Sequence, residues 1–590
     1  MRELEYPFDP ELLIKKKLKI KKALLETNKA FLDKKIAILG GSTTSEVKNM
    51  LELFLLNYGI RPTFYESEYN KYYEDGMFDN EKLKNFAPDV IYIHTSSKNL
   101  KQLPLATDSA ETVDKLLNGV LGEFTGLWRS LSEKYDCPIV QNNFEYISYR
   151  VLGNMDCVLP GGGVYFINEL NRRFSQYARE NKNFFIHDIN YEAACFGLDK
   201  WADNLYWDMY KYCMCLNAIP QCAYGVALII KSIFGKNKKV IALDLDNTLW
   251  GGVIGDDGAE NIEIGQETPI AQSYSAFQSY IKRQKELGVL LTVNSKNNEE
   301  TAISGFERPD SVLSKDDFVS FKANWDPKSI NLVKSAEELN LLPESFVFVD
   351  DNPAEREIVR QSVDGCAIPE IDDVENYIRI LDRSGFFEVT SLSEDDAKRN
   401  EMYRENALRN RALDAFTDYN DYLKSLEMFA EIMPFAPMYM SRIAQLTNKS
   451  NQFNLTTLRL SQAQIEEIAT SGDYITLYGK LADRFGDNGV VSVCAGRIEN
   501  DTVNIILWLM SCRVLKRDME FAMMNEFVDT CKERGIKQIC GFYYPTLKNA
   551  MVSEFYSQFG FEKTKEDESG SEWQIDVSDY KPKQVYIKIN

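Results

Sequence analysis

Apolar runs that end in small or polar residues alternate with amphipathic stretches along the first part of the chain. The first run, KKIAILGGS (34–42), ends in Gly-Gly-Ser and precedes the helix-like stretch EVKNMLELFLLNYG. Later runs of the same kind are PDVIYIHTSS (88–97), PIVQNNFE (138–145) and NFFIHDIN (183–190). Strands that alternate with helices are typical of βαβ units, so the pattern predicts a parallel sheet.

A second α/β unit follows a predicted helical stretch over residues 201–235. Its first strand is the start of VIALDLDNTLWGG (240–252), and the next two are VLLTVNS (289–295) and SFVFVDD (345–351). AIPEI (367–371) is the candidate for its last strand.

The pattern changes from about residue 391. SLSEDDAKRNEMYRENALRNRALDAF is charged and lacks Gly and Pro, which predicts an exposed connecting helix. In the last part, the helix FAMMNEFVDTCKERG (521–535) ends at Gly before the strand KQICGFYY. The predicted organisation is an N-terminal domain 1–235, a central domain 236–385, a helical connector 386–425 and a C-terminal domain 426–590.

Composition and charge exclude several classes of function. Of the 590 residues, 44% are hydrophobic and 27% charged, as in globular proteins. The formal net charge of −21 argues against nucleic-acid and anionic-membrane partners, which require a basic face. No long apolar run is present, and the 11 cysteines form no Cys-x-x-Cys pair. We therefore expect a soluble, cytoplasmic protein with reduced thiols.

Polar side chains that suit phosphate chemistry follow the strands of the second unit. Asp244 and Asp246 are two residues apart at a strand end, so both side chains can face one ligand. One such pair alone is equally consistent with an ordinary turn. Ser295 ends the next strand, and Lys328 stands at a predicted helix start, where an anion is favoured.

Two further carboxylates, Asp350 and Asp351, end the strand SFVFVDD. The carboxyl ends of parallel strands meet at one edge of a sheet, where such folds bind ligands. Strand-end carboxylates gathered there need a cation to offset their repulsion, and oxygen ligands beside a phosphate indicate Mg²⁺. Which of Asp350 and Asp351 would contact the metal directly stays open.

Taken in this order, DLDNT, Ser295, Lys328 and VDDNP resemble the four motifs of the HAD superfamily. The resemblance implies that Asp244 is the nucleophile and that Asp246 is the general acid and base, oriented by Thr248. It implies that the substrate phosphate is held by Asp244, Ser295, Lys296 and Lys328. It implies that Mg²⁺ is bound by Asp244, Asp246 through its carbonyl, and Asp350 or Asp351.

Longer segments resemble the FkbH-like proteins, HAD phosphatase subfamily IIIC. These segments are 243–258, 294–298, 316–332, 346–360, 446–457, 483–489 and 509–514. The resemblance implies removal of phosphate from an acyl phosphate such as 1,3-bisphosphoglycerate and transfer of the glyceryl group to the thiol of an acyl carrier protein. The alternatives are a general phosphatase of small metabolites and an inactive HAD scaffold.

The N-terminal domain resembles the SGNH hydrolases, with Ser42 where that family carries its nucleophile. The family's base is a His in an Asp-x-x-His motif. Neither His94 nor His187 has an Asp three residues earlier, and the only nearby carboxylate is Asp188. We therefore interpret Ser42 as a helix N-cap and expect no hydrolase activity.

The C-terminal domain resembles the GNAT acyltransferases. Residues 511–524 stand where that family has a Gly-rich loop for the CoA pyrophosphate, and they contain no Gly. Arg513, Lys516 and Arg517 could still contact phosphates. Cys512 is either an activated thiol that accepts an acyl group or a small residue at a turn. The expected fold class is thus an α/β chain with an SGNH-like domain, a HAD Rossmannoid domain with a minimal cap, and a GNAT-like α+β domain.

Overall fold

The chain divides into two compact units, Met1–Ile233 and Phe234–Asn590. The computed structural model describes residues 1–27, 31–392, 398–413, 416–546 and 548–589. The predicted boundaries at residues 385 and 425 lie inside the second unit and stay predictions.

The first unit contains a parallel five-stranded sheet in the order β2-β1-β3-β4-β5. Its strands are β1 Leu32–Gly40, β2 Ile60–Glu66, β3 Val90–His94, β4 Ile139–Asn142 and β5 Phe184–His187. Its α-helices are α1 Pro10–Thr27, α2 Ser45–Asn57, α3 Tyr72–Met77, α4 Glu81–Phe86, α5 Ala110–Lys134, α6 Gly163–Glu180, α7 Ile189–Phe196, α8 Leu198–Trp201, α9 Asn204–Tyr210 and α10 Ile219–Ile233.

The single helix predicted over residues 201–235 is wrong, because the chain changes direction there more than once. The Asp203 side chain accepts hydrogen bonds from two backbone N–H groups and so starts α9. Lys211, with φ of 60°, ends it in the left-handed region. Leu216–Ile233 is apolar and long enough to cross a membrane, but 72% of it is buried, and buried core helices meet the same criteria of length and composition.

The second unit begins with a parallel four-stranded sheet in the order β8-β7-β6-β9. Its strands are β6 Val240–Leu243, β7 Leu290–Ser295, β8 Ser320–Ala323 and β9 Phe346–Val349. Its α-helices are α11 Ile254–Asp257, α12 Pro269–Glu286, α13 Glu299–Phe306, α14 Lys328–Glu338, α15 Pro353–Ser362 and α16 Val374–Arg383. Only the short α11 lies between β6 and α12, as a minimal cap requires. The strand predicted at 367–371 is wrong: Ala367 makes one isolated bridge to Val347, and Pro369 has no N–H to continue a ladder.

A mixed sheet in the order β16-β17-β15-β14-β13-β12-β10-β18, with β11 beside β14, completes the second unit. Its strands are β10 Met428–Met433, β11 Phe453–Asn454, β12 Tyr474–Asp483, β13 Gly486–Glu499, β14 Thr502–Met510, β15 Gln538–Tyr543, β16 Glu562–Asp567, β17 Gly570–Asp576 and β18 Ile587–Ile589. The α-helices are α17 Arg399–Leu413, α18 Tyr419–Ser425, α19 Met440–Lys449, α20 Gln462–Thr470 and α21 Met519–Glu533. Strands β14 and β15 run parallel, with α21 between them in the chain.

Helix α17 is not the exposed connector that its charge predicts. Met402, Tyr403 and Arg409 are buried. The Arg409 guanidinium donates to both carboxylate oxygens of Asp483, with both N–O distances 2.7 Å. A charged helix can therefore pack inside the unit because its cation has a buried partner.

Candidate active site

The carboxyl ends of β6 and β9 bring Asp244 and Asp350 together. The two strands pair in parallel with Leu243 opposite Val349, so the residue that follows each strand emerges at the same edge. The Asp244 N–H donates to the Val349 carbonyl at 2.9 Å, which extends the ladder by one bond. Both carboxylates are buried.

Lys328 joins the two carboxylates. Its Nζ lies 2.9 Å from Asp244 Oδ2 and 2.5 Å from Asp350 Oδ2. Lys328 is the first residue of α14, and its backbone carbonyl accepts a hydrogen bond from Asn294 on β7 at 2.9 Å. Asn294 thus ties the start of α14 to the adjacent strand and positions the buried ammonium.

The site carries more negative than positive charge. Burial opposes the charge of Lys328, but the carboxylates of Asp244 and Asp350 outweigh it and raise the pKa of Lys328. Burial, and then the charge of Asp244, raise the pKa of Asp350 to about 7. The same causes raise the pKa of Asp351.

The donor set fits a magnesium ion. Carboxylate oxygens of Asp244, Asp350 and Asp351 lie within 4.8 Å of one another. A bound divalent cation would neutralise the excess charge, and hard oxygen donors favour Mg²⁺.

Asp246 is held apart from this cluster. Its Oδ1 accepts hydrogen bonds from Trp250 Nε1 at 2.9 Å and from the Ile254 N–H at 3.0 Å, and its Oδ2 accepts from Asn297 Nδ2 at 2.8 Å. Trp250 and Ile254 follow a turn that begins at Asn247, whose φ is 54°, whereas Asn297 lies after β7. Both oxygens of the Asp246 side chain are therefore engaged, which leaves its carbonyl as the group the resemblance assigns to the metal.

Several groups that orient the site are absent from the sequence predictions. Trp250 and Asn297 fix Asp246, and Arg356 donates to the carbonyls of Asp350 and Asp351 at 2.7 and 2.8 Å. None stands in a strand-end motif of charged residues. The available signal was the resemblance of longer segments: Trp250 lies in 243–258, Asn297 in 294–298 and Arg356 in 346–360.

Of the remaining predicted residues of this site, Thr248 and Ser295 are buried and Lys296 is exposed. Thr248 accepts a hydrogen bond from the Asp351 N–H at 3.2 Å, and Ser295 is buried, with Asn297 Nδ2 3.3 Å from its Oγ. Lys296 is 41% exposed, and its ammonium pairs with Glu355 at 2.6 Å.

Cys512 lies at a different place in the second unit. It lines a cavity of about 100 Å³, and its Sγ is 3.9 Å from the Tyr403 hydroxyl. Five of its 18 lining residues are cationic: Lys239, Arg399, Arg442, Lys449 and Arg513. The lining carboxylate Glu344 pairs with Lys548 at 2.5 Å.

The Cys512 cavity and the carboxylate cluster face opposite edges of one sheet. Lys239 precedes β6 and Asp244 follows it, so about 16 Å of strand separates their Cα atoms. Arg517, which the sequence left open as a phosphate contact, has a buried guanidinium that donates hydrogen bonds to Asp483 and Asn406.

Ser42 is not the N-cap that the sequence predicted. Two more residues follow it before α2, whose N-cap position is Thr44. The Ser42 Oγ lies 3.4 Å from the Sγ of buried Cys213.

Comparisons with known proteins give one family match and one similar structure that contains a phosphatase domain. Residues 35–231 match the family described as FkbH, N-terminal domain. The N-terminal part of the protein BF1531 from Bacteroides fragilis, a structure containing a phosphatase domain complexed with Mg, is 31% identical with a TM-score of 0.59. That match covers 64% of this chain and 99% of the other. No curated protein matches the chain.

Acetyltransferase structures also match, with TM-scores well under 0.5. The ribosomal-protein-S18-alanine N-acetyltransferase from Escherichia coli is 9% identical, with a TM-score of 0.21, over 25% of this chain and 94% of the other. PaiA N-acetyltransferase from Thermoplasma acidophilum, in complex with coenzyme A, is 14% identical, with a TM-score of 0.19, over 25% of this chain and 98% of the other. The α/β, multi-domain fold class is confirmed, and the SGNH likeness of the first unit stays a prediction.

Proposed function

Because this chain belongs to the FkbH family, we propose that it is a Mg²⁺-dependent phosphatase in which Asp244 accepts the phosphoryl group. The observation that carries the proposal is the contact of one buried ammonium, Lys328, with Asp244 and Asp350. A carboxylate that attacks a phosphate must overcome repulsion between two anions, and a fixed cation beside it lowers that barrier.

Each residue of the site has a role in this reaction. The Asp244 oxygen that does not face Lys328 attacks phosphorus, and the bond from phosphorus to the leaving oxygen breaks. The carboxyl of Asp246, fixed by Trp250 and Asn297, gives its proton to that oxygen and then takes one from the water that hydrolyses the aspartyl-phosphate. Ser295 and Lys328 hold phosphoryl oxygens in place.

Asp244, the Asp246 carbonyl and Asp350 or Asp351 would hold the metal. When bound, Mg²⁺ supplies positive charge that stabilises the phosphoryl oxygens in the transition state. The close carboxylates and the raised pKa of Asp350 and Asp351 support this assignment.

Phosphate release from p-nitrophenyl phosphate and acetyl phosphate tests the phosphatase. We expect Asp244→Asn to abolish turnover and EDTA to do the same until Mg²⁺ is restored. Asp256→Asn, an exposed aspartate on α11, is the matched control and should keep full activity. Turnover by folded Asp244→Asn, or turnover that EDTA does not change, would contradict the proposal.

The finer proposal is that the substrate is an acyl phosphate such as 1,3-bisphosphoglycerate and that the acyl acceptor is an acyl carrier protein. The cations around Cys512 support it, since they favour an anionic group beside a thiol. The Cys512 thiolate attacks the carbonyl carbon, the bond from that carbon to the phosphate oxygen breaks, and that phosphate leaves with the electron pair. The group left on sulfur is 3-phosphoglyceryl, and its remaining phosphate is the one that Asp244 accepts once the acyl group is on the carrier. The thiol proton passes to solvent, and a carrier thiol then takes the acyl group by thioester exchange.

Mass spectrometry of the protein after incubation with 1,3-bisphosphoglycerate tests this step. We expect a mass gain on the wild-type chain that is lost in Cys512→Ser and kept in Cys540→Ser, a second half-buried cysteine. A loaded carrier protein without a labelled Cys512 would contradict the covalent step alone. Phosphate release with no acylated product would leave only the phosphatase.

A further inference from the structure

A second group of metal-ligating side chains lies in the first unit, at the carboxyl end of its sheet. His187 ends β5, Glu192 is in the first turn of α7, and Cys222 is on α10. One ligand atom of each lies within 4.8 Å of the other two. Glu192, five residues after His187, is the carboxylate that pairs with it: Glu192 Oε1 is 3.0 Å from His187 Nε2.

The hydrogen bonds of Asn142 fix which nitrogen of His187 carries a proton. Asn142 Nδ2 donates to the Thr95 carbonyl at 3.0 Å, and a carbonyl only accepts, so the amide orientation is set. Asn142 Oδ1 therefore faces His187 Nδ1 at 2.8 Å and accepts its proton. In the neutral ring, the Nε2 lone pair then points at the Glu192 carboxylate.

Two acceptors in contact require a positive centre between or beside them. The second Glu192 oxygen, Oε2, is buried with no hydrogen-bond partner among the described residues. A buried carboxylate oxygen without a donor is costly and indicates a missing proton, water or ion. The Cys222 thiol adds a sulfur ligand at the same point.

Helix α10 approaches this group closely because Gly225 has no side chain. A Cβ atom on Gly225 would lie 2.1 Å from Glu192 Oε1 and 2.6 Å from His187 Nε2. The helix is thereby brought against the ligand atoms and delivers Cys222 to them.

From this geometry we propose that His187, Glu192 and Cys222 bind a divalent transition-metal ion, for which Zn²⁺ is the best fit. Nitrogen, sulfur and carboxylate ligands suit zinc, whereas Mg²⁺ prefers oxygen alone. Two atoms that bind zinc at its usual bond lengths in a tetrahedral site are about 3.3 Å apart. The distance between His187 Nε2 and Glu192 Oε1 is close to this, at 3.0 Å. The hydrogen bond from Nδ1 to Asn142 orients the imidazole as metal-bound histidines require. Binding releases the Cys222 thiol proton.

Metal analysis of the full chain, purified without a histidine tag and incubated with Zn²⁺ before dialysis, tests the proposal. We expect about one zinc per chain in the wild type and in Cys195→Ser, which removes an exposed cysteine of the same α7. Cys222→Ser and the isosteric Glu192→Gln should bind at least about tenfold less. Asp350→Asn should keep its zinc, which separates this group from the magnesium site.

Replacing zinc with Co²⁺ gives a second measurement on the unmutated protein. A thiolate-to-cobalt charge-transfer band is expected in the wild type and should vanish in Cys222→Ser. A wild type with no bound zinc and no such band would overturn the proposal and leave a proton shared between His187 and Glu192. Zinc that is lost in Asp350→Asn but kept in Cys222→Ser would overturn it as well.

Discussion

The indole N–H of Trp250 donates to Asp246 Oδ1 at 2.9 Å, and this contact holds the carboxyl proposed as general acid. Trp250 is fully buried, and its indole N–H donates to the side chain of Asp246. Its indole therefore acts on the reaction through the orientation of Asp246, which makes Trp250 a positioning residue.

Trp250→Phe is expected to lower kcat about tenfold, with KM nearly unchanged, because one hydrogen bond to a charged group contributes about 1.5 kcal/mol. The loss should be larger for an alkyl phosphate than for p-nitrophenyl phosphate, whose leaving group needs less protonation. Trp508→Phe is the control, since the buried Trp508 indole has no hydrogen-bond partner among the described residues. Equal losses for both leaving groups would contradict a role through Asp246.

Replacing each of two lysines of the predicted site should lower kcat by very different factors. Lys328→Met removes the ammonium between Asp244 and Asp350 and is expected to lower kcat by about 10²–10³-fold, as the loss of a preorganised charge does. Lys296→Met removes a half-exposed ammonium that pairs with Glu355 and should change kcat by less than about threefold. Comparable losses in steady-state phosphate release would show that Lys296 also holds the substrate.

The sequence predicts the residues at strand ends better than the residues that orient them. Asp244 and Asp350 meet because parallel pairing places the ends of β6 and β9 at one edge, and the alternation of strands and helices in the sequence predicts that edge. Lys328 reaches both from the start of α14. The hydrogen bond from Trp250 to Asp246 depends on a left-handed turn at Asn247. The bond from Asn297 depends on the segment between β7 and α13. No hydrophobic periodicity encodes either of them. The sequence does not predict that α17 is buried, because it shows the charged residues of the helix but not that Asp483 will pair with Arg409.

The partner that α17 needs is Asp483, and replacing it should destabilise the second unit. The Asp483 side chain is fully buried and accepts from both Arg409 and Arg517. Asp483→Asn leaves buried Arg517 without its carboxylate partner and leaves buried Arg409 with only Glu405, at 3.4 Å. It should lower the free energy of unfolding of the second unit by about 3–5 kcal/mol. Arg409→Met leaves Asp483 paired with Arg517 and should lower the free energy of unfolding by less than Asp483→Asn does. Denaturant unfolding of the two full-length variants checks the order, and equal losses would contradict it.

Glu145 should make the stability of the first unit depend on pH. Burial raises its pKa to about 7, although Ser97 donates to it from both its N–H and its hydroxyl. An unfolded Glu titrates near about 4.3, so between these values the folded chain holds the proton more tightly than the unfolded chain does. The stability that protonated Glu145 contributes is therefore complete below the unfolded-state pKa. It is lost as the pH rises to about 7, by at most about 1.4 kcal/mol per pH unit.

Glu145→Gln imitates the protonated acid and should remove this dependence. Below about pH 4.3, the variant and the wild type should unfold at similar temperatures, and above about pH 7 the variant should be the more stable of the two. Glu133→Gln, at an exposed position of α5, should follow the wild type throughout. The measurement is the thermal midpoint of the first unit at a series of pH values. A constant difference between Glu145→Gln and wild type across that series would mean that Glu145 does not titrate in this interval, and the assigned burial of its charge would be wrong.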